Sequence, residues 1–151
     1  MAVQKINSRM IEGDEYDSWQ STYTNVQSTS ANVGKSVIGI TLDGAGSAIT
    51  TGYKGFIQVP YDATIISATL LGDTSGTLVL DIWKDTYANY PPTDADSITG
   101  GNEPHLTSTD KYTDSTLTGW TTTINAGDVL AFNVDAASTV TKATLTLEVR
   151  K

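Results

Sequence analysis

The residues that could support catalysis are few, and their spacing does not assemble a recognisable site. His105 is the only histidine, and it follows Pro104 in a stretch rich in glycine and proline. A serine nucleophile would need this imidazole as its base, but the sequence contains no G-x-S-x-G turn to present such a serine. We therefore interpret His105 as a surface loop residue and predict that the chain has no catalytic residues and is not an enzyme.

Two pairs of aspartates are the remaining candidates for chemistry. Asp81 and Asp85 flank a Trp-Lys pair, and Asp94 and Asp96 form a D-x-D. Two carboxylates facing a sugar can hydrolyse a glycosidic bond, and carboxylates with further oxygen ligands bind Ca²⁺. The D-x-D lacks those further ligands, and close acidic pairs are common in an acidic protein. We predict solvated turn residues, with no metal and no cofactor; a calcium site and a glycan hydrolase are the alternatives.

Four aromatic residues lie in or beside predicted loops. Flat amphipathic rings in such positions are used both by sugar-binding sites and by protein interfaces. These residues have two possible roles: they pack in the core or between subunits, or they contact a glycan. The group consists of Trp83, Tyr87, Tyr90 and Trp120.

Composition favours β structure and excludes several classes of partner. Thr and Ser account for 25 and 13 of the 151 residues, and β-branched Thr suits a pleated, half-buried surface. The net charge of −8 disfavours nucleic acid and anionic membranes. No Cys is present, so disulfides and thiolate metal sites are excluded. Without an apolar leader or an 18-residue apolar run, we expect synthesis in a host cytoplasm and no membrane insertion.

Short alternating runs separated by Gly and Asp begin at Lys35. In 77–83, Leu78, Leu80 and Ile82 share one face while Val79, Asp81 and Trp83 share the other. About eight such runs predict an antiparallel β-sandwich of jelly-roll type over 35–151. Glycines at 44–46 and 72–76 are interpreted as turns, and 86–114 as one long loop. The predicted strands are 36–42, 56–59, 63–71, 77–83, 129–134 and 143–150.

Residues 1–34 differ in kind from the rest. From Asp17 the larger side chains recur at spacings of 4 and 3, as in a coiled-coil seam, and Gly34 is a candidate C-terminal stop. We predict a short trimeric helical stalk over 17–34, with an irregular segment as the alternative, and its seam residues are Trp19, Tyr23, Val26 and Val33. Residues 1–16 are predicted to form an attachment arm anchored by three aliphatic side chains, Ile6, Met10 and Ile11.

Several stretches resemble a β domain found at the C-terminal ends of bacteriophage tail-fibre and related virion proteins. The resemblance spans about residues 38–150, and its most specific part is VLDIWKDTYANYPPTDADSIT at 79–99. GAGSAITTG at 44–52 and STLTGWTT at 115–122 belong to it as well. Trp19, Ser21, Tyr23, Val26 and Gln27 also resemble one copy of a W-x-S-x-Y-x-x-V-Q repeat of trimeric fibre shafts.

The resemblance implies a protein on the virion surface. We expect a homotrimeric knob on a short stalk, attached by its arm to a capsid or tail structural protein. The shortness of the chain favours a capsid decoration or head-fibre protein. A tail-fibre tip that recognises host surface glycan is the alternative, and a glycan hydrolase is a third hypothesis.

Overall fold

The structure is a computed structural model that describes residues 34–151 together with Asp17, Gln20 and Ser21. Residues 35–151 form an all-β unit in which every strand pairing is antiparallel. This confirms the predicted all-β antiparallel class. Two short 3₁₀ turns, Tyr87–Asn89 and Asp94–Asp96, lie between the third and fourth strands. The strands are β1 (Lys35–Asp43), β2 (Gly52–Gln58), β3 (Ala63–Thr86), β4 (His105–Asp114), β5 (Thr123–Ile124), β6 (Asp128–Ser138) and β7 (Lys142–Arg150).

The central element is β3, a strand of 24 residues that takes part in both halves of the sheet. Its first half pairs with β7, from Thr64 opposite Arg150 to Gly72 opposite Ala143. Its second half pairs with β6, from Thr77 opposite Ser138 to Thr86 opposite Asp128. The strand order β1-β7-β3-β6-β2, with β4 and β5 also paired to β3, therefore curls around one core, consistent with a β-sandwich.

The segment 72–76 is a bend inside β3, so the prediction of a turn there is wrong. The pairing with β4 shifts register between Leu71 and Gly76, as a bulge does when it re-aims a strand. Asp73 fixes the bend because its carboxylate accepts hydrogen bonds from the Thr141 backbone N–H, at 3.0 Å, and from the Thr141 hydroxyl. These bonds lower the pKa of Asp73. The predicted strands 63–71 and 77–83 are consequently one continuous strand.

The core is built from the faces that alternation predicts. Leu78, Leu80 and Ile82 of β3 are fully buried, as are Leu145 and Leu147 of β7. Each such side chain stabilises the fold by roughly 1.5–3 kcal/mol relative to an exposed one. Each of these strands faces the core with one side only. The alternation of apolar and polar residues therefore predicted their inward side chains correctly.

The connection between β3 and β4 covers 87–104, and it is shorter than the predicted loop because the chain resumes strand structure at His105. It returns along the edge of β3: Ser97 forms a bridge to Trp83, and the Ile98 N–H donates to the Ile82 carbonyl at 2.9 Å. Within the described part of the chain, no helical segment has the length and apolar character needed to cross a membrane.

Most of the predicted arm and stalk lies outside the described residues. This holds for Ile6, Met10 and Ile11 of the arm and for Trp19, Tyr23, Val26 and Val33 of the stalk. Asp17, Gln20 and Ser21 have helical backbone conformation and are exposed. Three isolated positions do not test a coiled coil, so the stalk stays a prediction.

Candidate functional site

Two exposed aromatic side chains lie on the outer face of β2. Tyr53 and Phe56 are 47% and 40% exposed. Residues three apart point to opposite faces of a regular strand, but the pairing of β2 with β6 shifts register between Tyr53 and Gly55. This bulge brings both rings to one face, with their centroids 5.6 Å apart. Sequence reasoning missed both residues because no local signal marks the bulge.

A third ring joins them from the connection between β3 and β4. Tyr90 is 52% exposed and packs edge-on against Phe56, with ring centroids 5.2 Å apart and an interplanar angle of 67°. Tyr53, Phe56 and Tyr90 together are called the aromatic platform below. Contiguous exposed rings of this kind mark an interaction surface, since isolated exposed apolar residues are ordinary but grouped ones are not.

The platform rests on Trp83 of β3. This indole is only 6% exposed and lies perpendicular to Tyr53, with centroids 5.0 Å apart. The Tyr53 hydroxyl donates to the Pro92 carbonyl at 3.0 Å. A T-shaped aromatic pair of this type contributes roughly 0.5–1.5 kcal/mol beyond its buried area. The Tyr53 ring is thus held from below by Trp83 and at its tip by the loop.

The carboxylate of Asp81 anchors the loop to the sheet. Asp81 is 3% exposed and accepts hydrogen bonds from the indole N–H of Trp83 at 2.6 Å and from its neighbour's backbone N–H, that of Ile82, at 2.7 Å. From the loop, the hydroxyls of Ser97 and Thr99 donate to it at 2.9 and 2.7 Å. The prediction that Asp81 is a solvated turn residue is wrong, because it is a buried acceptor in the middle of a strand.

Polar groups border the platform on β6. Asn133 pairs with Tyr53 across the β2–β6 ladder, and its amide donates to the Asp135 carboxylate at 2.6 Å. Partial removal from solvent raises the pKa of Asp135, an effect reduced by the Asn133 bond and strengthened by the charges of Asp81, Glu103 and Asp94. Amide and carboxylate groups beside exposed rings provide the polar contacts that orient a bound ligand.

Of the other aspartates in the two pairs, Asp94 is exposed, whereas Asp85 and Asp96 serve local structure. Asp85 accepts from the Thr86 N–H at 2.6 Å, and Asp96 caps the second 3₁₀ turn by accepting from the Thr93 N–H at 2.8 Å. The Thr93 bonds lower the pKa of Asp96. Among the described residues, no three His, Asp or Glu side chains are grouped closely enough to hold a metal ion.

His105 is exposed and is the first residue of β4, so its assignment to a loop is wrong, whereas its position at the surface is confirmed. Its Nδ1 lies 2.9 Å from the Glu103 carbonyl oxygen. In the described part of the chain, no hydrogen bond joins this imidazole to a serine hydroxyl or an aspartate carboxylate.

The four predicted aromatic contact residues do not form a single group. Tyr90 belongs to the platform, Trp83 supports it from beneath, and Tyr87 is 70% exposed on the first 3₁₀ turn. Trp120 is 9% exposed, belongs to the core, and donates its indole N–H to the Asn102 carbonyl at 3.0 Å.

The Trp83 indole is packed within the chain. It is 6% exposed, and Tyr53 lies edge-on against it. Among the described residues, the aromatic side chains that stay largely exposed are those of the platform and Tyr87.

Comparison with known proteins assigns this chain to no family. No family model matches the chain, and no curated protein matches it. A solved structure described as "CBM4 structure and function" aligns over 76% of this chain and 80% of its own, at 16% identity and a TM-score of 0.28. An alignment at that TM-score supports no conclusion about this chain's function.

Proposed function

We propose that this chain is a non-enzymatic bacteriophage virion surface protein whose β domain binds carbohydrate on a host surface. The observation that carries the carbohydrate assignment is the aromatic platform. Its three contiguous rings are 40–52% exposed, one of them, Tyr53, packs edge-on against the buried Trp83, and an amide and a carboxylate lie at their border.

Sugar rings match such a surface chemically. Their C–H faces pack on aromatic rings, and their hydroxyls pair with amide and carboxylate groups at the border. Rings that are already held in place lose little conformational freedom on binding, which favours affinity. The net charge of −8 makes a polyanionic partner such as nucleic acid a poor fit.

The virion assignment rests on the resemblance of residues 38–150 to the β domain of phage tail-fibre proteins. In this proposal the domain is a jelly-roll-like knob, residues 17–34 form a trimeric stalk, and residues 1–16 attach to a capsid or tail protein. The platform favours a tail-fibre tip, because a receptor-binding surface needs exposed groups that contact a glycan.

A capsid decoration or head-fibre protein is the second candidate. The same exposed rings would serve there as a protein contact, because Tyr, Trp and Phe are also enriched at protein interfaces. The two roles differ in what the platform contacts.

A glycan array separates the two roles. Purified chain is applied to bacterial surface glycans beside two variants: Tyr90→Ala, which removes one platform ring, and Val37→Ala, which removes an exposed aliphatic side chain outside the platform. Retention by wild type and Val37→Ala, with loss in Tyr90→Ala, supports the tip role. Absence of glycan binding, with purified capsids retaining the chain, would replace it with the decoration role.

A further inference from the structure

A second concave site lies along β4, beside the far end of the 87–104 connection. It is a cleft of about 540 Å³, within the range of roughly 300–1,000 Å³ that small-molecule sites occupy. Val79 of β3 lines it together with His105 and Thr107 from the first half of β4 and Tyr112 and Asp114 from the second half.

The bend of β4 brings its two halves together around this cleft. Ser108 has a φ of +55°, and the pairing with β3 shifts register beside it. The rings of His105 and Tyr112 consequently lie 5.0 Å apart at an angle of 43°. They form a mixed aromatic pair at the cleft, and Tyr112 is supported from behind by the core.

The opposite wall is fixed by hydrogen bonds. The Asn102 side chain donates to the Thr118 carbonyl at 2.9 Å, and its backbone carbonyl accepts from the Trp120 indole at 3.0 Å. Trp120 belongs to the core, so one of the hydrogen bonds that position this wall comes from a buried side chain. The cleft is therefore formed in the folded chain without a ligand.

Several polar groups of the cleft are available to a ligand. Within the described residues, the side-chain hydroxyls of Thr107, Tyr112 and Thr118 make no hydrogen bond to the protein, whereas Asp114 is engaged by the backbone N–H groups of Thr116 and Leu117 at 2.7 and 3.2 Å. Burial, and secondarily the charge of Asp114, raises the pKa of Tyr112, so its phenol stays protonated and able to donate.

The charge of the lining restricts the ligand. Glu103 and Asp114 contribute carboxylates, and among the residues that the structure describes neither a lysine nor an arginine lines the cleft. An anionic ligand would meet like charge without a cation to pair with, which disfavours it. Neutral hydroxyl groups and amines meet no such penalty.

We propose that this cleft is a second saccharide site, for a neutral or amine-bearing sugar unit, separate from the aromatic platform. The 87–104 connection borders both sites: Tyr90 belongs to the platform, and Asn102 and Glu103 line the cleft. One domain would then contact a polysaccharide at two points and gain avidity from their linkage. The cleft does not depend on the platform's function, because the two sites share no residue.

The test is a ¹H–¹⁵N NMR titration of the full chain with single sugars. The panel contains the methyl glycosides of glucose, galactose, mannose and N-acetylglucosamine as neutral sugars, that of glucosamine as the amine, and that of glucuronic acid as the anion. With a neutral sugar or glucosamine, saturable shifts are expected at amides in 101–107 and 112–118, as a group separate from any shifts at the platform on β2. No saturable shift there with any of those five sugars, or shifts with glucuronate alone, would overturn the proposal.

Variants assign the site. His105→Ala is expected to weaken binding at the cleft about three- to tenfold, the loss of one aromatic contact. Val37→Ala, an exposed side chain outside both sites, is the control and is expected to leave cleft binding unchanged. An equal loss in Val37→Ala and His105→Ala would overturn the assignment of the site to the cleft. Tyr112→Phe keeps the core-packed ring and removes only the hydroxyl, and weaker binding is expected there too. If the platform does not bind sugar, amides of β2 will not shift. Amides of β4 report on the cleft separately, so the two proposals can fail independently.

Discussion

At the scale of single residues, one buried carboxylate links the aromatic platform to the 87–104 connection. Asp81 accepts from a sheet indole and from two loop hydroxyls, so it joins the base of the platform to the loop that carries Tyr90. No lysine or arginine pairs with it in the described part of the chain, since the ion pairs found there involve Glu148, Asp128 and Asp43. Among the described residues, its partners are hydrogen-bond donors.

Replacing Asp81 by Ala should destabilise the fold by about 3 kcal/mol, because it leaves the Trp83 indole, the Ser97 hydroxyl and the Thr99 hydroxyl without their buried acceptor. Urea unfolding followed by tryptophan fluorescence measures the change. Asp110→Ala is the matched control, since Asp110 is exposed, and it should stay within about 0.5 kcal/mol of wild type. Equal stability of the two variants would contradict the anchoring role of Asp81.

Asp135 predicts a pH dependence of the opposite kind to that of most folded carboxylates. Its pKa is raised in the folded chain, so the fold binds this proton more tightly than the unfolded chain does. Its charged form therefore opposes folding above that pKa, and the penalty disappears as the pH falls through it. Asp135→Asn should raise the melting temperature at pH 7 and not at pH 3, with the two chains compared by thermal unfolding at each pH. A lower melting temperature at pH 7 would contradict this sign.

At the scale of elements, two strand irregularities shape the β domain in ways that regular strands could not. The bulge in β2 turns Tyr53 and Phe56 to one face, and the bend in β3 carries the chain from β7 to β6. At this bend the backbones of Gly76 and Ser138 lie close together, because a Cβ added at Gly76 would be 2.6 Å from the Ser138 carbonyl oxygen.

Gly76→Ala should therefore destabilise the fold by roughly 1–3 kcal/mol, the usual range for overpacking. The matched control is Gly55→Ala, whose added Cβ would meet only the flexible end of the Ile40 side chain at 3.0 Å. Thermal unfolding of both variants is the measurement. A Gly76→Ala chain as stable as Gly55→Ala would show that the bend relaxes without cost.

Much of the strand pattern could be predicted from the sequence, whereas the site could not. Alternation located the buried faces at Leu78, Leu80 and Ile82 because burial on one side imposes a period of two. The β2 bulge, the uninterrupted passage of β3 through Gly72–Gly76, and the burial of Asp81 depend on partners far along the chain. Local propensity contains no information about those partners.

At the scale of the whole molecule, the proposed protein presents its aromatic platform and its polar cleft on one β domain. The residues described for both sites lie within 35–151, on strands and on the 87–104 connection. Residues 1–34 belong to the proposal through assembly, in which several copies of one domain would contact a glycan surface together and gain avidity.

Assembly leads to a prediction about the stalk. If Trp19, Tyr23 and Val26 form a threefold seam, light scattering of the full chain should give about 48 kDa, three copies of 16.0 kDa. Tyr23→Asp would place three like charges in the seam, so it should lower the measured mass toward that of a monomer. Ser28→Asp, off the predicted seam, is the control and should stay trimeric. A monomeric wild-type chain would contradict the seam.

The central claim is that the aromatic platform binds saccharide, and calorimetric titration tests it most directly. A glycan retained on the array is titrated into wild type, Phe56→Ala and the control Val37→Ala. We predict that Phe56→Ala binds about 10- to 100-fold more weakly, as expected for loss of a central aromatic contact, while Val37→Ala binds like wild type and both variants are folded at the titration temperature. Equal affinity of Phe56→Ala and wild type would contradict it.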